Sequence, residues 1–265
     1  MPRSRSNSAQ PLLSNHQKSW LWGSLCVAET LEGGRWPIYE LILAENANQP
    51  IHQQIEQAAI AAKIPLERQS SRRLEQLCKS RDHQGVLALM GPFPYGNFDQ
   101  LLTQISSQSR FVILDCIQDP FNFGAIVRSA AAFGMTGILI GQNSQVGVTS
   151  HVARSSVGMV NRIPICQLEN LTQAIQALHS KNTALFSAEQ NGSLEIRQVF
   201  QQPEHRQQPL AIIMGNEAEG ISRELKALCT NSVRIPMAPG VESLNAAVSA
   251  GILMYELSSV RNSLP

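Results

Sequence analysis

The chain lacks the features that mark a disulfide framework, a metal site or a membrane span. Its five cysteines are scattered over 265 residues, without a C-x-x-C pair and without a histidine at ligand spacing. That pattern indicates free thiols in a reducing compartment and argues against a bound metal. No apolar run approaches the ~20 residues that a membrane-spanning helix needs. We therefore expect neither a metal nor a membrane partner.

Net charge is also nearly absent, because 21 Lys and Arg residues almost balance 20 Asp and Glu residues. Any nucleic-acid partner must then be held by local basic patches rather than by an overall field. No acidic residue precedes Glu29, and the first residues are rich in serine and arginine. This composition predicts a disordered basic tail over residues 1–19, with an organelle-targeting segment as the alternative. The expected location is the bacterial cytoplasm, and an organelle is the alternative.

Two familiar nucleotide-binding signatures are missing as well. The chain has no G-x-G-x-x-G after a predicted strand and no phosphate loop ending in G-K-S or G-K-T. The first absence disfavours a nicotinamide-linked oxidoreductase on a Rossmann-like sheet. A nucleotide-like ligand would therefore have to be bound by loops of another kind.

The residues that are present predict two α/β units. The length suits one large domain or two small ones, at roughly 100 to 200 residues per domain. Clustered proline and glycine at residues 91–96 can continue neither a helix nor a central strand, so we place the boundary there. The predicted parts are a small α/β domain at 20–91, a linker with a first helix at 92–109, and a larger domain at 110–265.

Apolar periodicity predicts the helices and strands of both domains. In the first domain we predict helices at residues 24–31, at 51–62 and after Ser70 or Ser71, and strands at 38–44, 64–68 and 85–90. In the second domain we predict strands at 111–117, 137–140, 163–166, 183–188, 210–214 and 232–236. Helical segments between most of these strands indicate a mostly parallel sheet that is covered on both faces.

Three polar loops of the second domain follow an apolar strand and precede a helix. They are D-P-F-N-F-G-A-I-V-R at 119–128, G-N-E-A-E-G at 215–220 and the segment 235–245. The carboxyl ends of parallel strands meet at one edge, so these loops should open together around a nucleotide-like ligand. Ser243 is predicted to cap the last helix, and Asn122 to lie on the first loop. The alternative is that Asn122 only caps the next helix and that Arg128 is a solvated charge.

These loops, in this order, resemble the motifs of the SpoU family of RNA ribose 2'-O-methyltransferases, within the trefoil-knotted SPOUT class. The matching residues are N-F-G-A-I-V-R at 122–128, G-N-E-A-E-G at 215–220, I-P-M at 235–237 and S-L-N-A-A-V-S-A at 243–250. The first domain resembles the family's L30-like substrate-binding module, which often ends in H-Q-G-V, as residues 83–86 do.

The resemblance implies an α/β fold in which the C-terminal, mostly parallel sheet carries a deep trefoil knot and follows the small L30-like domain. Knots are very rare, so only the family likeness supports this expectation. It also implies a homodimer that forms through the knot, with both subunits contributing to the site. The knot would bind S-adenosylmethionine through residues of its loops, which are Gly215, Asn216, Ile235, Met237, Ser243 and Leu244.

The resemblance further implies four catalytic residues, Asn122, Arg128, Glu217 and Asn245. The methyl donor is already an electrophile, so the site must position a ribose hydroxyl and help to remove its proton. Because a guanidinium is a poor base, we interpret Arg128 as holding the hydroxyl and the neighbouring phosphate. Asn122 and Asn245 would orient the arginine or the ribose, and Glu217 would pair with Asn122 or fix its loop.

The predicted activity is methylation of a ribose 2'-hydroxyl in RNA, in a guanosine of large-subunit ribosomal RNA. One alternative is a transfer RNA substrate. Another is a non-catalytic RNA-binding protein, which the joint presence of the four catalytic residues and Ser243 argues against. One stretch departs from the family pattern, because Met159 and Asn161 stand where many relatives carry a small residue and an acid. This departure concerns local packing and substrate preference.

Overall fold

The computed structural model describes residues 19–200, 202–216 and 218–259. The tail predicted over residues 1–19 lies outside this part of the chain except for Ser19, and Glu217 lies outside it as well. The described residues form two sheets, of four and seven strands. This arrangement confirms the predicted α/β class with a small separate sheet at the N-terminal end. The limits of the two predicted domains stay a prediction.

The first sheet has the strand order β1-β4-β2-β3. Its strands are β1 (Ser19–Trp22), β2 (Ile38–Ala44), β3 (Leu66–Gln69) and β4 (Val86–Met90). The accompanying helices are α1 (Ser24–Gly33), α2 (Pro50–Ala61) and α3 (Ser71–Cys78). The sequence did not predict β1, because four residues are too few for a periodic pattern and the strand pairs antiparallel with β4, far along the chain.

The second sheet is parallel at every pairing between its described strands. Along the chain these strands are β5 (Arg110–Asp115), β6 (Gly137–Gly141), β7 (Ile165–Leu168), β8 (Ala184–Ala188), β9 (Leu194–Glu195), β10 (Leu210–Gly215) and β11 (Asn231–Arg234). Their order in the sheet is β7-β6-β5-β10-β8-β11-β9. All carboxyl ends therefore point to one edge, as the sequence predicted.

Seven helices of the described chain accompany this second sheet. They are α4 (Phe98–Thr103), α5 (Pro120–Ala132), α6 (Ser150–Ser155), α7 (Leu171–Ser180), α8 (Ile196–Phe200), α9 (Arg223–Ala227) and α10 (Ala246–Ser259). Successive residues of β5 alternate between two apolar clusters, with Val112 and Leu114 in one and Phe111 and Ile113 in the other. Both faces of the sheet are therefore buried, which explains why its central strands are continuous apolar runs.

The predicted linker packs firmly against the second sheet. The Tyr95 hydroxyl accepts a hydrogen bond from the Val148 N–H at 2.9 Å, and the Gly96 N–H donates to the Ile165 carbonyl at 2.8 Å. On the other side, the Phe93 ring meets the Trp36 ring edge-on at 5.0 Å. This segment therefore holds the two sheets together rather than leaving them independent.

A second contact between the layers of the two sheets explains why Asn161 stands where many relatives carry an acid. This residue lies in the short 3₁₀ turn Met159–Asn161 and is 6% exposed. Its Nδ2 donates to Thr30 Oγ1 of α1 and to the Gly158 carbonyl, each at 3.0 Å. Both partners act as acceptors here. The Gly158 carbonyl can only accept, and Thr30 Oγ1 already donates its proton to the Cys26 carbonyl. An amide supplies the required donor, whereas an ionised acid cannot.

The change Asn161→Asp is therefore expected to lower the free energy of unfolding by about 1–3 kcal/mol, because a buried carboxylate would lose both hydrogen bonds and face the Gly158 carbonyl. Urea unfolding at neutral pH measures the effect. The exposed Asn182→Asp is the matched control, and surface substitutions of this kind usually change stability by less than about 0.5 kcal/mol. Equal stability of the two variants would show that the contact between Asn161 and Thr30 contributes nothing.

Candidate active site

In the first predicted site segment, helix α5 begins earlier than the sequence predicted. The side chain of Asp119 accepts hydrogen bonds from the N–H groups of Phe121 and Asn122, at 3.2 and 3.1 Å, and Pro120 is the first residue of α5. Asn122 therefore lies in the first helical turn and not on a loop, so that prediction was wrong. The alternative that Asn122 caps this helix was also wrong, because the capping residue is Asp119.

Gly124 permits a close approach of two helices. A Cβ at this position would overlap Ser155 Oγ and would lie 2.7 Å from the Val152 carbonyl oxygen, both on α6. Ser155 Oγ also donates to the Pro120 carbonyl at 3.2 Å. A glycine permits either a close approach or a positive φ, and at Gly124 the structure uses the close approach. The start of α5 is thereby fixed to α6.

Asn122 and Asn245 lie in contact although 123 positions separate them in the chain. The Nδ2 group of Asn245 donates to Asn122 Oδ1 at 3.0 Å. The Oδ1 atom of Asn245 accepts from the N–H groups of Ala247 and Val248, at 2.9 and 3.3 Å, and so caps α10. The prediction that Ser243 caps this helix was therefore wrong, because α10 begins only at Ala246. The cap orients the amide that touches Asn122.

Arg128 is an exposed residue of α5. No acidic side chain of the described residues lies within ion-pair distance of its guanidinium. An exposed arginine without a structural partner contributes little to stability, so its charge remains available to an anion.

A cavity of about 420 Å³ opens at the carboxyl edge of the sheet, within the usual range for small-molecule sites. It is formed by the segments that follow β8, β10 and β11 and by the start of α10. All six residues predicted to bind the cofactor line it: Gly215, Asn216, Ile235, Met237, Ser243 and Leu244. Asn122, Arg128 and Asn245 are not among the lining residues. The structure thus brings together the six predicted pocket residues.

The loop after β10 is shaped by its own polar groups. Asn216 Oδ1 accepts from the N–H groups of Ala218 and Glu219, at 2.9 and 2.7 Å, and closes the turn. A Cβ on Gly215 would overlap backbone atoms of Gly220, so only glycine allows the two ends of the loop to meet. Glu217, the fourth predicted catalytic residue, lies outside the described residues.

The sequence missed one wall of the cavity. Residues 189–191 follow β8, and Glu189 there pairs with Lys226 at 2.8 Å and accepts from Ser187 Oγ at 2.7 Å. Burial alone would raise the pKa of Glu189, but the hydrogen bonds from Lys226 and Ser187 and the charge of Lys226 outweigh it and lower the pKa. Glu189 therefore lines the cavity as a carboxylate. The rule that loops after parallel strands share one edge would have identified this segment.

Asp115 ends β5 next to the second loop, and Cys116 follows it. Asp115 Oδ2 accepts from the Ser222 N–H at 2.7 Å, which ties β5 to the segment before α9. Burial, the hydrogen bond and charge of Asp115, and the charge of Glu219 raise the pKa of the Cys116 thiol to about 11. Cys116 therefore stays protonated at neutral pH and is unsuited to act as a nucleophile.

The described residues contain no group of three or more side chains that could hold a metal ion. No helix within the same part of the chain is long and apolar enough to cross a membrane.

The fold and the cavity together define a class of protein, namely an α/β protein with a small-molecule site at the carboxyl edge of a parallel sheet. Two family models match the chain: the SpoU rRNA Methylase family over residues 109–255, and RNA 2'-O ribose methyltransferase substrate binding over residues 20–96. A Bacillus subtilis protein, YacO, assigned to the TrmH family of tRNA/rRNA methyltransferases, is 32% identical over 251 residues, which cover 94% of this chain and 98% of YacO. The chain therefore belongs to the SpoU rRNA Methylase family, whose members are RNA methyltransferases.

Solved structures have the same fold. The SpoU methyltransferase AviRb from Streptomyces viridochromogenes, in complex with AdoMet, superposes with a TM-score of 0.78 at 22% identity, covering 94% of this chain and 93% of that one. An AdoMet-bound rRNA methyltransferase from Sinorhizobium meliloti gives a TM-score of 0.76 at 25% identity, covering 95% and 90% of the two chains. These likenesses extend over both sheets, whereas the deep knot remains an expectation from the family.

Proposed function

We propose that this protein transfers a methyl group from S-adenosylmethionine to a ribose 2'-hydroxyl in large-subunit ribosomal RNA, on a guanosine. The observation that carries the proposal is the cavity, in which six predicted residues from two separate loops meet. The start of α10 lines this cavity, and the cap of that helix, Asn245, contacts Asn122. A cofactor site and a candidate reaction site are thus joined through one helix terminus.

The cavity fits the proposed cofactor in size and in chemistry. Its volume lies within the range of small-molecule sites, and Met214, Ile235 and Leu253 give it an apolar wall. Gly215 presents bare backbone, which lets a flat ring approach closely. The Glu189 carboxylate can accept hydrogen bonds from hydroxyl groups. We propose that Gly215, Asn216, Ile235, Met237, Ser243 and Leu244 hold the adenosine end.

When bound, S-adenosylmethionine supplies an electrophilic methyl group. The remaining task of the protein is to hold the ribose hydroxyl in line and to help its proton to leave. We assign the first task to Arg128, whose guanidinium offers a planar fork to a phosphate oxygen and the hydroxyl. A guanidinium hardly deprotonates, so the proton passes to solvent or to a shared acceptor. Asn122, held by the Asp119 cap and by Asn245, orients these groups, and Glu217 is proposed to fix its loop.

The preference for ribosomal RNA is supported by the family model that matches residues 109–255, which describes rRNA methylases. The model that matches residues 20–96 describes substrate binding for RNA ribose methyltransferases, so we propose that the N-terminal sheet binds the RNA. Transfer RNA is the second candidate, since relatives such as YacO are assigned to both substrates. The bacterial cytoplasm is the proposed compartment.

A second copy of the chain is the proposed protein partner. Val248 and Tyr255 are 51% and 57% exposed and lie seven residues apart on α10, hence on one helix face. Exposed apolar side chains grouped on one face are typical of an interaction surface. A homodimer through this face would place two sites near the joined helices.

The experiment uses purified protein, labelled S-adenosylmethionine, and separate pools of unmodified ribosomal and transfer RNA. We expect label in the ribosomal pool, and nuclease mapping should place it on a ribose of a guanosine. Label only in the transfer RNA pool would overturn the substrate preference and leave the reaction standing. Binding of both ligands without label in free or ribosome-associated RNA would favour a non-catalytic RNA-binding protein.

A further inference from the structure

An exposed aromatic ring lies directly beside the candidate reaction site. Phe121 precedes Asn122 in the first turn of α5 and is 63% exposed. Its ring meets the ring of His151 at 6.2 Å with an interplanar angle of 60°. His151 is also exposed, and it meets the ring of Trp22 at 5.1 Å and 88°. A row of three rings therefore runs from the first sheet to the start of α5.

This row is anchored at both ends. Trp22 is 7% exposed, and the guanidinium of Arg154 lies 5.3 Å from its ring centre while it pairs with Asp82. At the other end, the Phe121 N–H donates to the Asp119 cap. Trp22 and the backbone of Phe121 are thus held in place, and groups that are already ordered lose little conformational entropy when a ligand covers the row.

The exposed ring shares a strip of α5 with Arg128. Residues seven positions apart in an α-helix point in nearly the same direction and lie ~10 Å apart along the axis. Ala125 lies between them on the same side, whereas Phe123, Ile126 and Val127 are buried. The strip therefore presents an aromatic face and, about two turns on, a cation without an acidic partner in the described chain.

We propose that Phe121, backed by His151, is a stacking platform for an unpaired base of the RNA substrate, next to the nucleotide whose ribose Arg128 positions. This inference rests on the proposed function and narrows its substrate to an unpaired segment. Aromatic side chains stack on any base, but the bases of a duplex are already stacked on one another. The nearby cation matches the phosphates that flank such a base.

The test measures the affinity of the full-length protein for a fluorescent oligoadenylate of about 12 nucleotides, and for a duplex of the same length, by anisotropy at fixed salt. We expect Phe121→Ala and Phe121→Leu to weaken single-strand binding by about 5- to 100-fold, which is the usual loss for one stacked base. Phe121→Tyr keeps the ring and should bind as the wild type does. Ile60→Ala, at a 70% exposed position of α2, is the control for loss of exposed apolar surface.

Three outcomes would overturn the stacking proposal. They are unchanged single-strand affinity of Phe121→Ala, wild-type affinity of Phe121→Leu, and a changed molar mass of Phe121→Ala in light scattering, which would assign the strip to a second copy of the chain. A fourth outcome, an equal loss of affinity for the duplex, would likewise contradict it. Binding is measured without turnover, so failure of methyl transfer by the wild type would count against the proposed function alone.

Discussion

Replacement of Arg128 by alanine is expected to lower kcat for methyl transfer by about 100- to 1,000-fold, the usual effect of removing one positioned hydrogen-bond donor from a reacting group. The proposed role requires the planar fork, so Arg128→Lys should recover only part of the rate. Stability should not change, because the side chain is exposed and has no ion-pair partner among the described residues. Single-turnover rates with saturating S-adenosylmethionine measure the effect directly.

The matched control is Arg206→Ala, which removes an exposed arginine from the 3₁₀ turn Pro203–Arg206. It should leave kcat unchanged. A higher KM for RNA with an unchanged kcat in Arg128→Ala would mean that the guanidinium only binds phosphate. Full activity of this variant would remove Arg128 from the mechanism.

Replacement of Gly215 by alanine is expected to abolish most S-adenosylmethionine binding. The new Cβ would overlap backbone atoms of Gly220 and Ile221, and neither can rotate away as a flexible side chain could. Overpacking of this kind typically costs about 1–3 kcal/mol, and here the displaced backbone is itself a wall of the cavity. We expect the dissociation constant for S-adenosylmethionine to rise at least about tenfold, as 1.4 kcal/mol would produce. Isothermal titration calorimetry measures it.

Gly141→Ala is the control, because Gly141 also ends a parallel strand but the nearest atom to a Cβ there would be Leu171 Cδ1, at an ordinary 3.5 Å. This variant should bind the cofactor normally. Normal binding by Gly215→Ala would mean that the loop after β10 shifts freely, and the cofactor would then have to be placed elsewhere.

The fold illustrates which predictions local patterns support. Strands β5 and β10 could be predicted because they are buried on both faces, so their sequences are continuous apolar runs. The two-residue strand β9 and the edge strand β1 were missed, because neither is long enough to establish a period. We predicted the start of α5 too late. Asp119 followed by proline is a helix-start signal, but we interpreted these residues as part of a loop.

The sequence by itself determined the parallel sheet, the edge at which the loops open and six of the residues that line the cavity. These features follow from short stretches of residues, namely the apolar runs of the strands and the family motifs. Only the tertiary structure decided that Asn245 rather than Ser243 caps α10, that its amide meets Asn122, and that Asn161 donates to Thr30 across the two layers. Hydrogen bonds depend on distances of a few tenths of an ångström between groups far apart in the chain. Such distances follow from the packing of whole helices, and no local pattern of residues contains them.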